Sequence, residues 1–412
     1  MLLAAISVFS ACATRPSQRV EPGRSNAITF LSSQLLADFD QFWDFVRDHY
    51  CFFDEKRVVW ERVRERYRPQ VVGMTDGYAF VRVLTSAIDE LYDLHSHLKM
   101  HVDDANRIPG HDLWAEWRDG RAIIIDVRQP SSAYGAGMRA GMEVVAIDGV
   151  PAVPAMRARR SSLLSAPDPE ADEHALLSLL SGRYGASRSL QLRDRDGVTR
   201  DVQINDAAPT KDDALTFRTI EKDLGYIAIS SFADSDLVER FDQALDALRS
   251  TRGLVIDVRN NGGGNTALAR PIMGRFIQSR LQYAWMARRE GESLGQRWPE
   301  FVDPRGPWTY TQPVVILVNH WSASMAEGFP MGMHGMHRAT IVGTRMMGLG
   351  AGVNDVVLGW TQIPFQLSAE PVFHVDGTPR WHLRPDVLVD LTQPTSDQDP
   401  ILAAGLRALA AL

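Results

Sequence analysis

The sequence predicts an α/β core in its C-terminal half, with a small helical unit and a β-rich unit ahead of it, and three observations carry that prediction. Two apolar runs rich in β-branched residues, Leu254-Val255-Ile256 and Val314 to Val318, have the continuous hydrophobicity of strands buried on both faces. Apolar residues between Leu35 and Tyr50 instead recur at helical spacing. Two alternating runs between Ser189 and Ile204 flank an Asp196-Gly197 turn, as in a β-hairpin.

Length and charge bound the possibilities. A chain of 412 residues holds two or three domains and can bury a sizeable core. Its formal net charge of -7 gives no electrostatic case for nucleic acid or for an anionic membrane surface. No apolar run reaches the length that spans a bilayer. The opening stretch Met1 to Cys12 is a short apolar segment ending in small residues, as in a secretion signal. Phe9-Ser10-Ala11-Cys12 resembles a bacterial lipobox, which implies a lipidated Cys12 as mature N-terminus and a polar tether from Thr14 to Asn26. Soluble export is the alternative. The only cysteines are Cys12 and Cys51, so a disulfide scaffold is excluded and Cys51 reads as a buried thiol.

Along the chain, Leu35, Phe39, Phe42, Val46 and Tyr50 predict a first helix, and Val58, Trp60, Val63 and Tyr67 a second that Pro69 stops. Phe80, Leu84, Ile88 and Leu91 predict a third, capped by Asp76. The exit, Leu91-Tyr92-Asp93-Leu94-His95-Ser96-His97-Leu98, is rich in histidine. His95 is either a surface histidine in a polar turn or a proton acceptor, a task suited to an imidazole of ordinary pKa, about 6.5. Alternating spacing with His97 and His101, without a clear carboxylate ligand, argues against a metal site.

The β-rich unit follows. Arg121 to Val127 is a strand, a small-residue turn runs from Ser132 to Gly141, and the next strand ends at Asp148-Gly149. The stretch Pro151 to Leu180 is an insertion without a readable pattern. In the core, strand Tyr226 to Ile229, a helix through Leu237, Phe241, Leu245 and Leu248, and strand Leu254 to Asp257 make one βαβ crossover, hence a parallel pair. Gly262-Gly263-Gly264 lies at its carboxyl end, where ligands of open α/β sheets gather and backbone N–H groups can approach one unhindered.

The strand Val314 to Val318 turns through Asn319, His320 and Trp321 and reaches Ser324 where a helix begins. Ser324 either caps that helix or, with free N–H groups beside its hydroxyl, serves as a nucleophile. Pro330 should bend or shorten the helix. Met331, Met333, Met336, Met346 and Met347 read as core filler. A strand Thr340 to Gly343 and a helix from Pro400 close the chain.

Asp257, Arg259, Asn261, Gly263 and Gly264, taken with Ser324, Ala326 and Glu327, resemble the two signatures of the S41 peptidases, the family of carboxyl-terminal processing proteases and the tricorn core. The resemblance covers most of the chain from about residue 35. It implies Ser324 as nucleophile, the N–H groups of Gly263 and Met325 as oxyanion donors, and, from the Leu-x-Asp-x-His-Ser match, His95 as general base. Arg121 to Gly149 also resembles the core of a PDZ domain, a module that captures an extended peptide as an added strand. The implied organisation is a signal and tether over 1–26, an N-terminal helical domain over 27–104, a PDZ-like β-rich domain over 105–207, and an α/β core of ClpP/crotonase-like βα layers over 208–412. The implied activity is that of an exported serine peptidase on peptide or protein substrates, without metal or cofactor.

Two positions depart from the family pattern. In the processing-protease branch a lysine follows the serine by 25 positions, but that residue here is Leu349, and no lysine follows Lys222. The tricorn-like branch supports its histidine with a glutamate shortly before a closing Pro-Asp, yet Gly377 to Leu383 holds none. Asp93, Glu370 and Asp376 remain as acids for His95. These departures keep a non-catalytic peptide- or ligand-binding protein on the same fold as the second reading. With an ordinary imidazole as base, activity should rise with pH through about 6 to 7.

Overall fold

One apolar stripe on each of three helices, α1 (Ser32–His49), α2 (Trp60–Val71) and α3 (Gly77–Asp89), builds the N-terminal core. The computed structural model describes residues 18–19, 29–205, 213–221, 223–393, 395 and 397–412. The lipobox and most of the tether therefore lie outside the described residues. Asp76 caps α3 by accepting from the Tyr78 N–H at 2.8 Å. Pro69 does not stop α2, which runs on to Val71, because it falls in the last turn and buried Tyr67 and Val71 hold that turn in place. The helices do not close their core alone: Ala351, Leu358, Phe365 and Leu367 complete it from the C-terminal half.

The β-rich unit is an antiparallel sheet of β1 (Leu113–Arg118), β2 (Arg121–Val127), β3 (Glu143–Ile147), β4 (Arg188–Arg193) and β5 (Thr199–Ile204), adjacent in that order. The insertion that had no readable pattern folds as a short helix, Ala152–Arg159, and α4 (Pro169–Ser181), whose Leu176 and Leu180 close the core of this unit.

The remaining elements are β6 (Leu215–Ile220), β7 (Leu224–Ile229), α5 (Leu237–Ala247), β8 (Gly253–Asp257), α6 (Thr266–Met273), β9 (Leu281–Met286) and β10 (Trp298–Val302). They continue as β11 (Val314–Val318), α7 (Met325–Gly335), β12 (Thr340–Gly343), β13 (Ala351–Val357), β14 (Pro364–Phe373), β15 (Val387–Leu388) and α8 (Pro400–Ala410). One sheet has the order β6-β7-β8-β11-β12-β15 and is parallel except for the edge pair β6 and β7. Residues of α5, α6 and α7 pack on one of its faces and those of α8 on the other. A second, antiparallel sheet has the order β10-β9-β14-β13. The short strand His97–Leu98 joins it at β14, which carries the segment around His95 into the core. Helix α7 continues through Pro330, and Met331, Met333, Met336 and Met346 are buried in the core cluster beside it.

The β-rich unit is keyed to the core by polar contacts, several of them buried. Asp126 Oδ2 lies 2.9 Å from His320 Nδ1, and the Trp114 ring stacks on His320 at 5.1 Å between centroids. Thr344 Oγ1 donates to Arg345 O at 2.9 Å and lies 3.1 Å from the same Nδ1, so that nitrogen carries the proton and shares it with both oxygens. Trp321 Nε1 donates to Gly110 O at 2.7 Å, and Asn260 Nδ2 to Gln129 O at 3.1 Å. Asp126→Ala should therefore leave a buried donor under-satisfied and cost about 1–3 kcal/mol of stability in urea unfolding. An unchanged unfolding midpoint would show that this seam carries no stability.

Candidate active site

Two turns leave the carboxyl ends of the neighbouring parallel strands β8 and β11, paired from Leu254↔Val314 to Asp257↔Leu317. Polar groups stitch them together. Ser322 Oγ donates to Val258 O at 2.8 Å, and the Ala323 N–H donates to Asn261 O at 2.9 Å. The Asn260 N–H donates to Asn319 Oδ1 at 3.0 Å, and Asn319 Nδ2 returns a bond to Asn260 Oδ1 at 3.1 Å. The charged residues of the glycine motif are braces. Arg259 donates to Asp257 within its own turn and to Asp399 at 2.7 Å, and the Tyr226 hydroxyl donates to Asp257 Oδ2 at 2.7 Å. Asn261 is wholly buried and hangs the turn on β7 through Nδ2 to Ile229 O at 2.9 Å.

This stitching sets the conformation of Ser324. Its backbone has φ 53° and ψ -114°, a strained combination for a residue with a Cβ, and it immediately precedes α7. Its hydroxyl makes no capping hydrogen bond, which removes the bland reading of Ser324 as a helix cap. The N–H of Met325 opens the helix and has no intrahelical acceptor. Gly263 closes the other side: a methyl group there would lie 2.8 Å from Ser324 Cβ, 2.9 Å from Met325 N and 2.6 Å from Ala323 O. With φ +96° as well, only glycine fits. The N–H of Gly263, expected from the sequence as an oxyanion donor, donates to Asn261 Oδ1 at 2.8 Å.

His95 is buried, not the surface residue of a polar turn. Asp93 folds the segment by accepting from the His95 N–H at 3.1 Å and from Ser96 Oγ at 2.6 Å. Gln366 Nε2 donates to His95 O at 2.8 Å, and the Ser368 N–H donates to Ser96 Oγ at 3.0 Å, so β14 holds the segment from the other side. No hydrogen bond joins the ring to Ser324 Oγ among the described residues. None of the three acids considered from sequence orients the ring: Asp93 serves the backbone and Ser96, Glu370 pairs with Arg288, and Asp376 pairs with His374. Burial pushes the imidazole pKa down to about 3 against the opposing charge of Asp93, with Arg380 and His97 lowering it further. The ring is therefore neutral throughout the physiological range.

The segment Gly348 to Ala351 is tied to α7 through Glu327, and its Ala351 backbone faces the His95 ring. Glu327, one turn into α7 and 1% exposed, accepts from the N–H groups of Gly348 at 2.7 Å and Leu349 at 3.0 Å. Arg380 donates from Nε to Leu349 O at 2.9 Å and from Nη2 to Ala351 O at 3.0 Å, and its Nε lies 3.5 Å from Glu327 Oε2. Burial raises the Glu327 pKa to about 7, while Arg380 and the two N–H groups pull it down. Leu349, where the resemblance read from the sequence implied a lysine, contributes its backbone to this link and has a buried side chain. A cavity lined by Asp93, Leu94, Trp114, Met347, Gly348 and Trp381 lies beside the link, where the three units meet.

Reading the sequence missed one buried group and one buried pair here. Arg380 carries no local signal, since an arginine between proline and tryptophan reads as surface. The Asp126–His320 pair joins residues far apart in the chain, although a histidine between Asn319 and Trp321, close to the candidate nucleophile, deserved separate consideration. Among the described residues no cluster of three or more histidine, cysteine or acidic side chains could hold a metal ion.

Comparison with known proteins gives the same picture of the core. Residues 223–389 match the model of peptidase family S41, and residues 35–88 match that of the tricorn protease C1 domain. The carboxy-terminal processing protease CtpB of Bacillus subtilis is 26% identical over 247 residues, 58% of this chain and 46% of its own. For CtpA of the same organism the figures are 24% over 312 residues, 72% of this chain and 60% of its own. The chloroplastic C-terminal processing peptidase of Tetradesmus obliquus is 26% identical over 331 residues, 77% of this chain and 69% of its own. The chain thus spans about half to two thirds of the length of these relatives. Among solved structures, mature CPAF complexed with lactacystin superposes with a TM-score of 0.60 at 16% identity, covering 92% of this chain and 97% of that one. The photosystem II D1 C-terminal processing protease gives 0.54 at 19% identity, covering 91% and 98%. Both likenesses concern the fold. The glycine turn and the Ser324 corner both lie inside the segment that matches peptidase family S41.

Proposed function

We propose that the protein is an exported serine peptidase in which Ser324 attacks the peptide carbonyl and His95 takes and returns its proton. The observation that carries the proposal is the corner at Ser324: an uncapped hydroxyl at positive φ, at the start of α7, with Gly263 against its Cβ. The Met325 N–H is the first oxyanion donor, because it is fixed beside the nucleophile and needs no reorganisation. Gly263 supplies the second by sharing the N–H now held on Asn261 Oδ1. A neutral, desolvated imidazole is in the protonation state that a base requires. Substrate closing the cavity beside Gly348 would bring Ser324 and His95 into hydrogen-bond reach, as free enzymes often hold such pairs apart. The β-rich unit, read as PDZ-like, would present an extended polypeptide to this cleft. The second reading, a non-catalytic carrier on the same fold, is favoured by Leu349 and by the absence of an acid on the His95 ring.

Fluorophosphonate should label wild-type protein at Ser324 and leave Ser324→Ala unlabelled. His95→Ala should lower peptide turnover by several orders of magnitude, comparably to Ser324→Ala, since members of one proton-transfer unit fail together. Near-normal turnover of His95→Ala would show that another base serves, and absence of both labelling and hydrolysis in wild type would favour the carrier.

The pH dependence differs from the expectation for an ordinary imidazole. Since kcat/KM reports ionisations of the free enzyme and burial holds His95 near 3, His95 itself should give no limb between pH 5 and 7, and any loss there follows protonation of Glu327, whose pKa burial raises to about 7. A limb at 6 to 7 that persists in Glu327→Gln would mean that the base is a solvated imidazole instead. Gly263→Ala should cost roughly a hundredfold or more in kcat/KM, because its methyl collides with the Ser324 corner and displaces the oxyanion donors. A fully active Gly263→Ala would mean that the corner plays no part in the chemistry.

For localisation, we propose a lipid anchor at Cys12. Wild type should then partition into the detergent phase of Triton X-114 and Cys12→Ser into the aqueous phase. Finding wild type in the aqueous phase, with its mature N-terminus elsewhere, would rule out the anchor.

A further inference from the structure

We propose that Arg380 is a positioning residue of this active site, holding the backbone of Leu349 and Ala351 against Glu327 and so setting where His95 stands relative to the helix that begins at Ser324. The inference rests on the peptidase reading above. The segment Gly348 to Ala351 is gripped in both polarities: Glu327 takes the N–H groups of Gly348 and Leu349, and Arg380 takes the carbonyls of Leu349 and Ala351. The guanidinium is 6% exposed, and Nη2 makes a further bond to Leu349 O. It also lies on α7 itself, since a methyl group at Gly328 would be 3.5 Å from Arg380 Nη1.

The two charges need each other. A carboxylate as buried as Glu327 stays ionised only with a cation beside it, and it then holds the two N–H groups most strongly. A planar fork can meet two carbonyls and a carboxylate at once, whereas the single ammonium of a lysine offers no such fixed spread. The groups that face His95 are Asp93 and His97 from its own segment, the Ala351 backbone from β13, and Arg380. Arg380 is the one cation among them that also touches the nucleophile helix, so displacing it alters both the place and the electrostatic surroundings of the ring.

The test uses the full chain with Arg380→Lys and with the double variant Arg380→Met, Glu327→Gln, which removes both buried charges together and so leaves no unpaired charge behind. Each should lower kcat by about a hundredfold with KM little changed, as expected when catalytic groups are misplaced while substrate binding stays intact. Independently of turnover, the nitrogen resonances of His95 should titrate near pH 3 in wild type, where burial dominates, and shift upward in the double variant, which lacks the Arg380 charge. Unchanged kcat in both folded variants, or a His95 titration that does not move, would overturn the assignment. If fluorophosphonate fails to label wild-type Ser324, the peptidase reading falls and the histidine titration alone decides the role of Arg380.

Discussion

The approach of Gly263 to the Ser324 corner is the constraint on which the rest of the site depends. The strands β8 and β11 are parallel neighbours, so their two turns emerge side by side, and the bond from the Ala323 N–H to Asn261 O draws them into contact. At that separation no Cβ fits at residue 263, and the chain before α7 is forced through a positive φ at Ser324. Strain of that kind persists only where the surroundings over-determine it. Here Ser322, Asn319, Asn260 and Asn261 do so, each with a named partner on the facing turn or on β7. The polar residues of both motifs are thus largely scaffolding, and the Ser324 hydroxyl is what the scaffold presents.

The second organising feature is electrostatic. Around α7 the protein buries a carboxylate, a guanidinium and an imidazole with little solvent, where unpaired charge is costly. Glu327 and Arg380 meet that cost by satisfying the backbone of one loop from opposite sides, and His95 meets it by remaining neutral. The same burial that leaves His95 without a proton at neutral pH also means that it differs from the solvated histidine its flanking sequence suggests.

The three units are less independent than their sequence boundaries imply. The helical core is closed by β13 and β14, and the His95 segment is paired to β14, so residues 27–104 present their histidine only when the C-terminal half is in place. The β-rich unit reaches both motif turns through Asp126–His320 and Asn260–Gln129. Removing that unit would therefore disturb the loop that leads to Ser324 as well as any peptide capture, and its effects on small and large substrates would not separate cleanly.

Whatever depends on local pattern was legible in the chain itself. The three helices, the hairpin of β4 and β5, the buried strands β7, β8 and β11, the glycine turn and the serine at the head of α7 all announce themselves through periodicity, β-branched runs and turn residues, because short-range sterics and burial dictate them. His95 stood out only through its resemblance to a family segment. The sheet of β9, β10, β13 and β14 did not stand out: β13 has little of its length buried, so no clean alternation marks it, and buried β14 is interrupted by Gln366, Ser368, Glu370 and Pro371, so no apolar run marks it. The partnership of Glu327 with Arg380, that of Asp126 with His320, and the low pKa of His95 were decided by tertiary structure alone. They arise from desolvation and from contacts between residues distant in sequence, and a buried charge has no signature in the chain until the fold supplies the walls around it.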